Sequence, residues 1–263
     1  MDYGLGGKTV LVLASGSGLG KAVAGEFLKE GADVVLSGRG AEKLEAAVAD
    51  LEKATGRIPR FRVCDITKAE DLKRLVAFAA EPEGGVDVLV NNAGGPPAGT
   101  FESFDDTVWT GAFELTLLSY VRAIREVLPH MKKRGWGRIV NSTSSSVREV
   151  IENLILSNTF RLGVIGLTKS LAVEFAPYGI LVNAIGPGRF DTERIRSLDR
   201  SLAEKKGLSV EQVSAAALGR IPLGRYGDPE EYGRLAVFLG SGANTYITGQ
   251  TVLADGGMTR AVP

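Results

Sequence analysis

The sequence has little of the chemistry that builds metal sites and cross-links. Its 263 residues include one cysteine, Cys64, and one histidine, His130. A single cysteine excludes an intramolecular disulfide framework and fits a reducing compartment, so we interpret Cys64 as a small buried hydrophobe. Zinc sites need several sulfur or imidazole ligands, and the sequence therefore predicts no metal site.

An excess of charge of one sign and long apolar runs are also missing. The 31 basic residues balance 31 acidic ones, and the one basic run, Lys132, Lys133 and Arg134, is typical of a solvated helix end. This balance gives no basis for nucleic-acid binding. No apolar run reaches the ~18 residues of a membrane-spanning helix, and the first residues lack a secretory pattern. We therefore expect a soluble cytoplasmic protein that acts on a small molecule.

What the chain does contain is a regular alternation of strand and helix patterns. Apolar runs of strand length occupy residues 9–13, 33–36, 60–63, 86–91, 137–142, 181–185 and 250–254. Amphipathic helical patterns occupy residues 19–29, 41–55, 68–79, 104–133, 156–177 and 229–239. The runs predict strands buried on both faces. Such alternation builds a parallel sheet with helices on both sides, so we expect one doubly wound α/β domain of about seven strands over residues 1–263.

Residues 189–218 interrupt the spacing between the last two strands. They are polar, charged and helical in pattern. An insertion after the carboxyl end of a strand lies beside the crevice where such sheets bind ligands. The segment is therefore predicted to be a helical lid.

The turn after the first strand is rich in glycine. Its predicted ligand-binding residues are Ala14, Gly16, Ser17, Gly18, Leu19 and Gly20. Glycines let a chain leave a strand sharply and let a pyrophosphate approach the amides of a helix N-terminus. Ala14 fits such a turn only if its backbone angles are permitted to an L-residue. On its own, the pattern is equally compatible with an ordinary strand-to-helix turn.

Further motifs make the chain resemble the short-chain dehydrogenase/reductase family, in its 3-oxoacyl carrier-protein reductase-like branch, over residues 7–258. They are Cys64-Asp65-Ile66, Asn91-Asn92-Ala93-Gly94, Pro187-Gly188, Thr248-Gly249-Gln250 and Asp255-Gly256-Gly257. The resemblance implies a Rossmann fold that binds a nicotinamide cofactor. It places Asp65 and Ile66 at the adenine, Asn92, Ala93 and Gly94 beside the cofactor, and Pro187 and Gly188 at the nicotinamide.

The same resemblance exposes a degenerate catalytic tetrad. Counted without gaps from residues 163–169, the family's Tyr falls on Ser157 and its Lys on Arg161. The family's Ser is kept as Ser144, whereas its helical Asn falls on Thr116. Three of the four positions have therefore changed.

These changes bear on proton transfer. A Ser hydroxyl is a far weaker acid than a Tyr phenol. Arg161, four residues after Ser157, shares its helix face and can stabilise an alkoxide, but it stays charged and cannot relay protons. The alternative interpretation is a helix surface released from catalytic constraint. Glu149 and Glu152 are candidate proton donors in place of the missing Tyr, but we expect both to be solvated loop charges.

Three functions remain open. We favour an NADP(H)-dependent carbonyl or alcohol oxidoreductase, followed by a catalytically silent NADP(H)-binding protein and then by a lyase or isomerase. NADP(H) is favoured over NAD(H) because Arg39 follows the second strand, where no acid is present to bind a ribose 2′-hydroxyl; the alternative is an exposed loop arginine. The resemblance also implies a homodimer or homotetramer.

Overall fold

Seven strands form one sheet in the order β3-β2-β1-β4-β5-β6-β7, and every pair is parallel. The computed structural model describes residues 2–81 and 84–261. The strands are β1 (Thr9–Val12), β2 (Asp33–Gly38), β3 (Arg60–Val63), β4 (Val88–Asn91), β5 (Gly137–Ser142), β6 (Ile180–Pro187) and β7 (Thr251–Ala254). Strand order reverses between β1 and β4, so the doubly wound prediction is confirmed.

Helices cover both faces of the sheet. They are α1 (Gly18–Lys29), α2 (Ala41–Thr55), α3 (Ala69–Ala80), α4 (Asp106–Phe113), α5 (Ser119–Arg134), α6 (Ile155–Phe175), α7 (Glu193–Lys206), α8 (Val210–Leu218) and α9 (Pro229–Leu239). One apolar core packs α1, α2 and α9 on the sheet around Phe27 and Tyr232. The other packs α3, α5 and α6 around Leu72 and Val127. Across the described ranges, no helix is both long and apolar enough to cross a membrane.

Burial of every strand on both faces is a prediction that the structure corrects. Strands β1, β4 and β5 are fully buried. The two edge strands are not, since β7 is half-buried throughout and Val63 of β3 is 48% exposed. An edge strand has a neighbour on one side only, so helices cover it less completely. The Arg60 guanidinium lies over this edge and donates to the carbonyls of Phe78 and Ala79.

The predicted helix over 104–133 is also corrected. It begins at Asp106, capped by the Asp105 carboxylate, which accepts from the Val108 amide at 3.0 Å. A π-helical turn, Glu114–Leu118, then separates α4 from α5. Such turns widen a helix locally and are frequent at functional sites. Thr116 lies inside this turn and is fully buried.

The helical pattern of residues 189–218 is confirmed as α7 and α8. An ion pair between Arg189 and Asp199 at 2.7 Å fixes the start of this segment. The Tyr226 hydroxyl donates to the same carboxylate at 2.9 Å. The segment therefore folds as two helices with a fixed base, while its motion as a lid stays a prediction.

Candidate active site

The strand-order reversal leaves a crevice beyond the carboxyl ends of β1 and β4, where doubly wound sheets bind ligands. Helix α1 points its N-terminus into this crevice. Its first turn contains no acidic residue, and Ser17, extended at φ −166°, makes no side-chain capping hydrogen bond. The first amides of α1 are therefore free to receive an anion such as a pyrophosphate.

Close packing at Gly20 shapes this crevice. A Cβ at Gly20 would lie 2.5 Å from the Ala14 carbonyl oxygen and 2.8 Å from Nδ2 of Asn92. The Asn92 amide in turn donates to the carbonyls of Leu13 at 3.2 Å and Ala14 at 3.1 Å. Asn92 thus holds the end of β4 against the turn that enters α1, and only a glycine permits that approach.

Ala14 adopts an unusual conformation at this turn. Its φ is +48°, in the left-handed region that L-residues rarely adopt. Ala14 therefore fits this turn, but its backbone is strained by about 1 kcal/mol.

The remaining residues predicted to bind the cofactor also line the carboxyl edge of the sheet. Gly16, Gly18 and Leu19 lie at the start of α1, Arg39 follows β2, Asp65 and Ile66 follow β3, Ala93 and Gly94 follow β4, and Pro187 and Gly188 lie at the end of β6. Arg39 is exposed and has no hydrogen-bonding or ionic partner among the described residues. The Asp65 carboxylate accepts from the Thr67 amide and hydroxyl. The free amides and the exposed guanidinium fit a phosphorylated dinucleotide.

Arg161 is the most unusual side chain of the crevice. It is 4% exposed, and its Nη1 donates to the Ser142 carbonyl at 2.8 Å and to the Tyr120 hydroxyl at 3.0 Å. Its Nη2 approaches the Ala93 carbonyl at 3.5 Å. In the part of the chain that the structure describes, no carboxylate pairs with it. A positive charge is therefore fixed at the end of β5 with no carboxylate partner among the described residues.

The hydroxyls at the other tetrad positions divide into two groups. Ser157 shares the buried face of α6 with Arg161, and its hydroxyl has no hydrogen-bond partner among the described residues. Ser144 Oγ accepts from the Ser146 amide at 3.1 Å and keeps its own proton to donate. The Thr116 hydroxyl, by contrast, donates to the Ala112 carbonyl one turn earlier. Thr116 is thus engaged within its own helix.

Two contributors were not identified from the sequence, Tyr120 and Ser142. Tyr120 lies one helical turn after Thr116, and its hydroxyl donates to the Ser142 carbonyl at 3.0 Å. Burial raises the pKa of the Tyr120 phenol, although the charge of Arg161 opposes this shift. The phenol is fully buried and accepts from the Arg161 guanidinium, so Tyr120 is an anchor for that side chain. Its spacing from Thr116 was the only available signal in the sequence.

Arg194 is the third residue that sequence reasoning missed. It belongs to the first turn of α7, and a Cβ built on Gly95 would lie 2.1 Å from its Nη2. The residue is exposed, but its guanidinium packs against Gly95, and partial burial, followed by the nearby Arg161 charge, lowers its pKa. A second cation therefore lies close to the first.

The loop carrying Glu149 and Glu152 supplies no substitute acid. Both side chains are exposed, as expected for solvated loop charges. Among residues 2–81 and 84–261, no group of three or more histidine, cysteine or acidic side chains is placed to bind a metal ion.

Comparison with known proteins identifies relatives along the whole chain. A family model described as enoyl-(acyl carrier protein) reductase matches residues 13–259. D-beta-hydroxybutyrate dehydrogenase of Cupriavidus necator is 34% identical over 257 residues, which cover 96% of this chain and 98% of that protein. The 3-oxoacyl-[acyl-carrier-protein] reductase FabG of Thermotoga maritima is 34% identical, covering 97% and 98%. The crystal structure of L-sorbose reductase from Gluconobacter frateurii, complexed with NADPH and L-sorbose, covers 100% of both chains with a TM-score of 0.94 and 30% identity.

Proposed function

The chain belongs to the short-chain dehydrogenase/reductase family, and from this premise we propose that it is an NADP(H)-dependent oxidoreductase that interconverts a carbonyl and an alcohol on a small molecule. The similar proteins are named as dehydrogenases and reductases. NADPH, when bound, supplies the hydride. What this chain must supply is stabilisation of the negative charge that then develops on the substrate oxygen, together with a route for a proton.

The main support for this proposal is the environment of the Arg161 guanidinium. Transition-state charge is stabilised best by groups already held in place in a dry site. The guanidinium of Arg161 is buried, anchored on Ser142 and Tyr120, and has no carboxylate partner in the described chain. Such a cation beside the crevice attracts an oxyanion and needs no rearrangement during the reaction. A single preorganised donor contributes about 10²–10³ in rate.

Proton delivery in this proposal does not use Arg161. An arginine guanidinium has only N–H donors and acts here as a fixed positive charge. The hydroxyls of Ser157 and Ser144 instead donate hydrogen bonds to the substrate oxygen, and the proton that completes the alcohol comes from solvent. This route is slower than transfer from a phenol, so we expect a modest turnover number.

Cofactor choice is the next part of the proposal. Arg39 is exposed and follows β2 with no partner among the described residues, which supports a contact between its guanidinium and a 2′-phosphate. A charge-assisted contact is worth about 1.5–3 kcal/mol, or roughly tenfold to a hundredfold in affinity. Titration of NADPH and NADH against the wild type and Arg39→Ala measures this. Arg57→Ala is the matched control, since Arg57 precedes β3 and therefore lies at the amino ends of the strands, whereas Arg39 lies at their carboxyl ends. Equal wild-type affinities for the two cofactors would refute the preference.

The lid is proposed on the same grounds. Helices α7 and α8 follow directly on Pro187 and Gly188 and expose most of their polar surface. A segment with little buried apolar area is ordered mainly by its ligands. We expect hydrogen exchange in residues 189–218 to slow when NADPH binds. Uniformly strong protection without cofactor would exclude a lid.

Turnover tests the function itself. We expect NADPH oxidation with members of a carbonyl panel, and a loss of about 10²-fold in kcat for Arg161→Met with NADPH affinity retained. Fluorescence titration of the variant with NADPH verifies that it is folded and loaded. If the wild type binds NADPH but none of the carbonyls of the panel supports its oxidation, the protein is a silent cofactor-binding protein.

A further inference from the structure

The acidic residues in and next to the first two turns of α7 pair with arginines other than Arg194. The ion pairs of this helix are Asp191 with Arg196, Asp199 with Arg189, and Glu193 with Arg200. Within the described ranges, Arg194 has neither a carboxylate partner nor a hydrogen bond. Its lack of a partner is therefore not a shortage of nearby acids, because three carboxylates lie within one or two helical turns and point elsewhere.

Arg194 faces the crevice. Its guanidinium lies directly against the backbone of Gly95, where even a Cβ would collide with it. Two residues earlier, the Ala93 carbonyl faces Nη2 of Arg161 at 3.5 Å. The two guanidinium groups thus flank the short segment 93–95 at the end of β4. Their mutual repulsion contributes to the lowered pKa of Arg194.

Two neighbouring guanidinium groups with no carboxylate partner among the described residues attract an anion to the space between them. A guanidinium presents paired N–H donors that match a carboxylate or a phosphate oxygen pair. The cofactor's pyrophosphate already has a site at the free amides of α1. An anion at residues 93–95 is therefore best supplied by the substrate.

We propose that Arg194 binds a carboxylate of the substrate, so that this protein acts on oxo acids and the corresponding hydroxy acids and not on neutral ketones. The proposal rests on the proposed function and names the substrate class of the same site. An oxo acid presents two oxygen groups a few bonds apart. Its carboxylate meets Arg194 while its oxo group meets Arg161, so one ligand serves both cations that lack a carboxylate partner in the described chain.

The test compares acids with their neutral esters. The substrates are 2-oxobutanoate, 3-oxobutanoate and 4-oxopentanoate, each paired with its methyl ester, with NADPH as cofactor. We expect kcat/KM for at least one acid to exceed that of its ester about tenfold or more, and Arg194→Met to remove this preference. Arg194→Lys, which keeps the charge without the fork, should retain part of it. Arg200→Met is the matched control, since Arg200 pairs with Glu193 on the exposed side of α7.

A binding measurement keeps the proposal testable without turnover. Butanoate and butanamide are titrated into the complex of the protein with NADPH, followed by cofactor fluorescence. We expect butanoate to bind the wild type at least about tenfold more tightly than butanamide, and Arg194→Met to bind both alike.

The outcomes distinguish a failure of the carboxylate site from a failure of the reductase function. Esters reduced as well as acids, or butanamide bound as tightly as butanoate, would overturn the proposal and leave carbonyl reduction standing. If Arg194→Met weakens NADPH binding and leaves the acid preference unchanged, the anion is the cofactor's pyrophosphate, and the proposal is wrong. Tight butanoate binding that needs Arg194, without turnover of any carbonyl, would support the carboxylate site and refute the reductase function.

Discussion

Removal of the Tyr120 hydroxyl is the sharpest perturbation of the site, because it changes the support of Arg161 without touching the crevice. The phenol accepts from Arg161 Nη1 at 3.0 Å and donates to the Ser142 carbonyl at 3.0 Å. Tyr120→Phe deletes both contacts and leaves no cavity. Arg161 retains the Ser142 carbonyl at 2.8 Å, so it keeps one strong anchor of two.

The magnitude follows from the charge and the burial. A hydrogen bond to a charged group is worth about 1.5–3 kcal/mol when buried, and Tyr120 is fully buried. We therefore expect the free energy of unfolding to fall by about 1.5–3 kcal/mol. If half of this anchoring is expressed in the transition state, kcat falls roughly three- to tenfold, equivalent to about 0.75–1.5 kcal/mol. Affinity for NADPH should not change.

Urea denaturation and steady-state kinetics measure the two effects separately. Tyr232→Phe is the matched control, since that buried phenol donates to Ser142 Oγ at 2.8 Å and makes no hydrogen bond to Arg161 among the described residues. It should lower stability by about 0.5–1.5 kcal/mol and leave kcat within about twofold of the wild type. If Tyr120→Phe lowers stability while kcat stays at the wild-type value, Arg161 does not act through this anchor and the reasoning fails.

Three further predictions concern the Ala14 turn, the tetrad positions and Cys64. Ala14→Gly should raise the free energy of unfolding in urea by about 0.5–1 kcal/mol, because it relieves a φ of +48°; an unchanged or lower stability would contradict the assigned strain. Ser157→Tyr with Arg161→Lys should raise the reduction of an activated ketone by about 10²–10⁴, and adding Thr116→Asn should raise it further; wild-type rates in both variants with NADPH still bound would show that the pocket itself has diverged. Burial, followed by the nearby acidic charges, raises the pKa of Cys64 to about 12, so alkylation by iodoacetamide at about pH 8 should require unfolding, and rapid labelling of the folded protein would disprove its burial.

The fold was largely predictable from the sequence because burial is periodic along it. The apolar runs at 60–63 and 137–142 coincide with β3 and β5, and the other strands differ by a few residues at their ends. Edge exposure could not be predicted, since a run such as residues 60–63 does not specify how many neighbours its strand has. The π turn at Glu114–Leu118 is set by packing against other elements, which no local pattern reveals.

The candidate site was predictable only in part. Counting from a motif placed Ser157 and Arg161 on one helix face, and both are buried there. The contacts of Arg161 could not be foreseen, because its partners are a phenol 41 residues away and a backbone carbonyl 19 residues away. The lack of a carboxylate partner for Arg194 could not be predicted from the sequence, for a related reason. Its sequence neighbours include acids, and only the three-dimensional structure shows that each acid pairs with another arginine.

Transfer of deuterium from the cofactor tests the central claim most directly. The protein is incubated with NADPH carrying deuterium at the reactive C4 position and with the oxo acids and ketones of the panel, and the alcohols formed are analysed by mass spectrometry. The account predicts an alcohol with deuterium on its carbinol carbon, in an amount that falls about 10²-fold in Arg161→Met. Saturated NADPH binding with no deuterated alcohol from any carbonyl would contradict it.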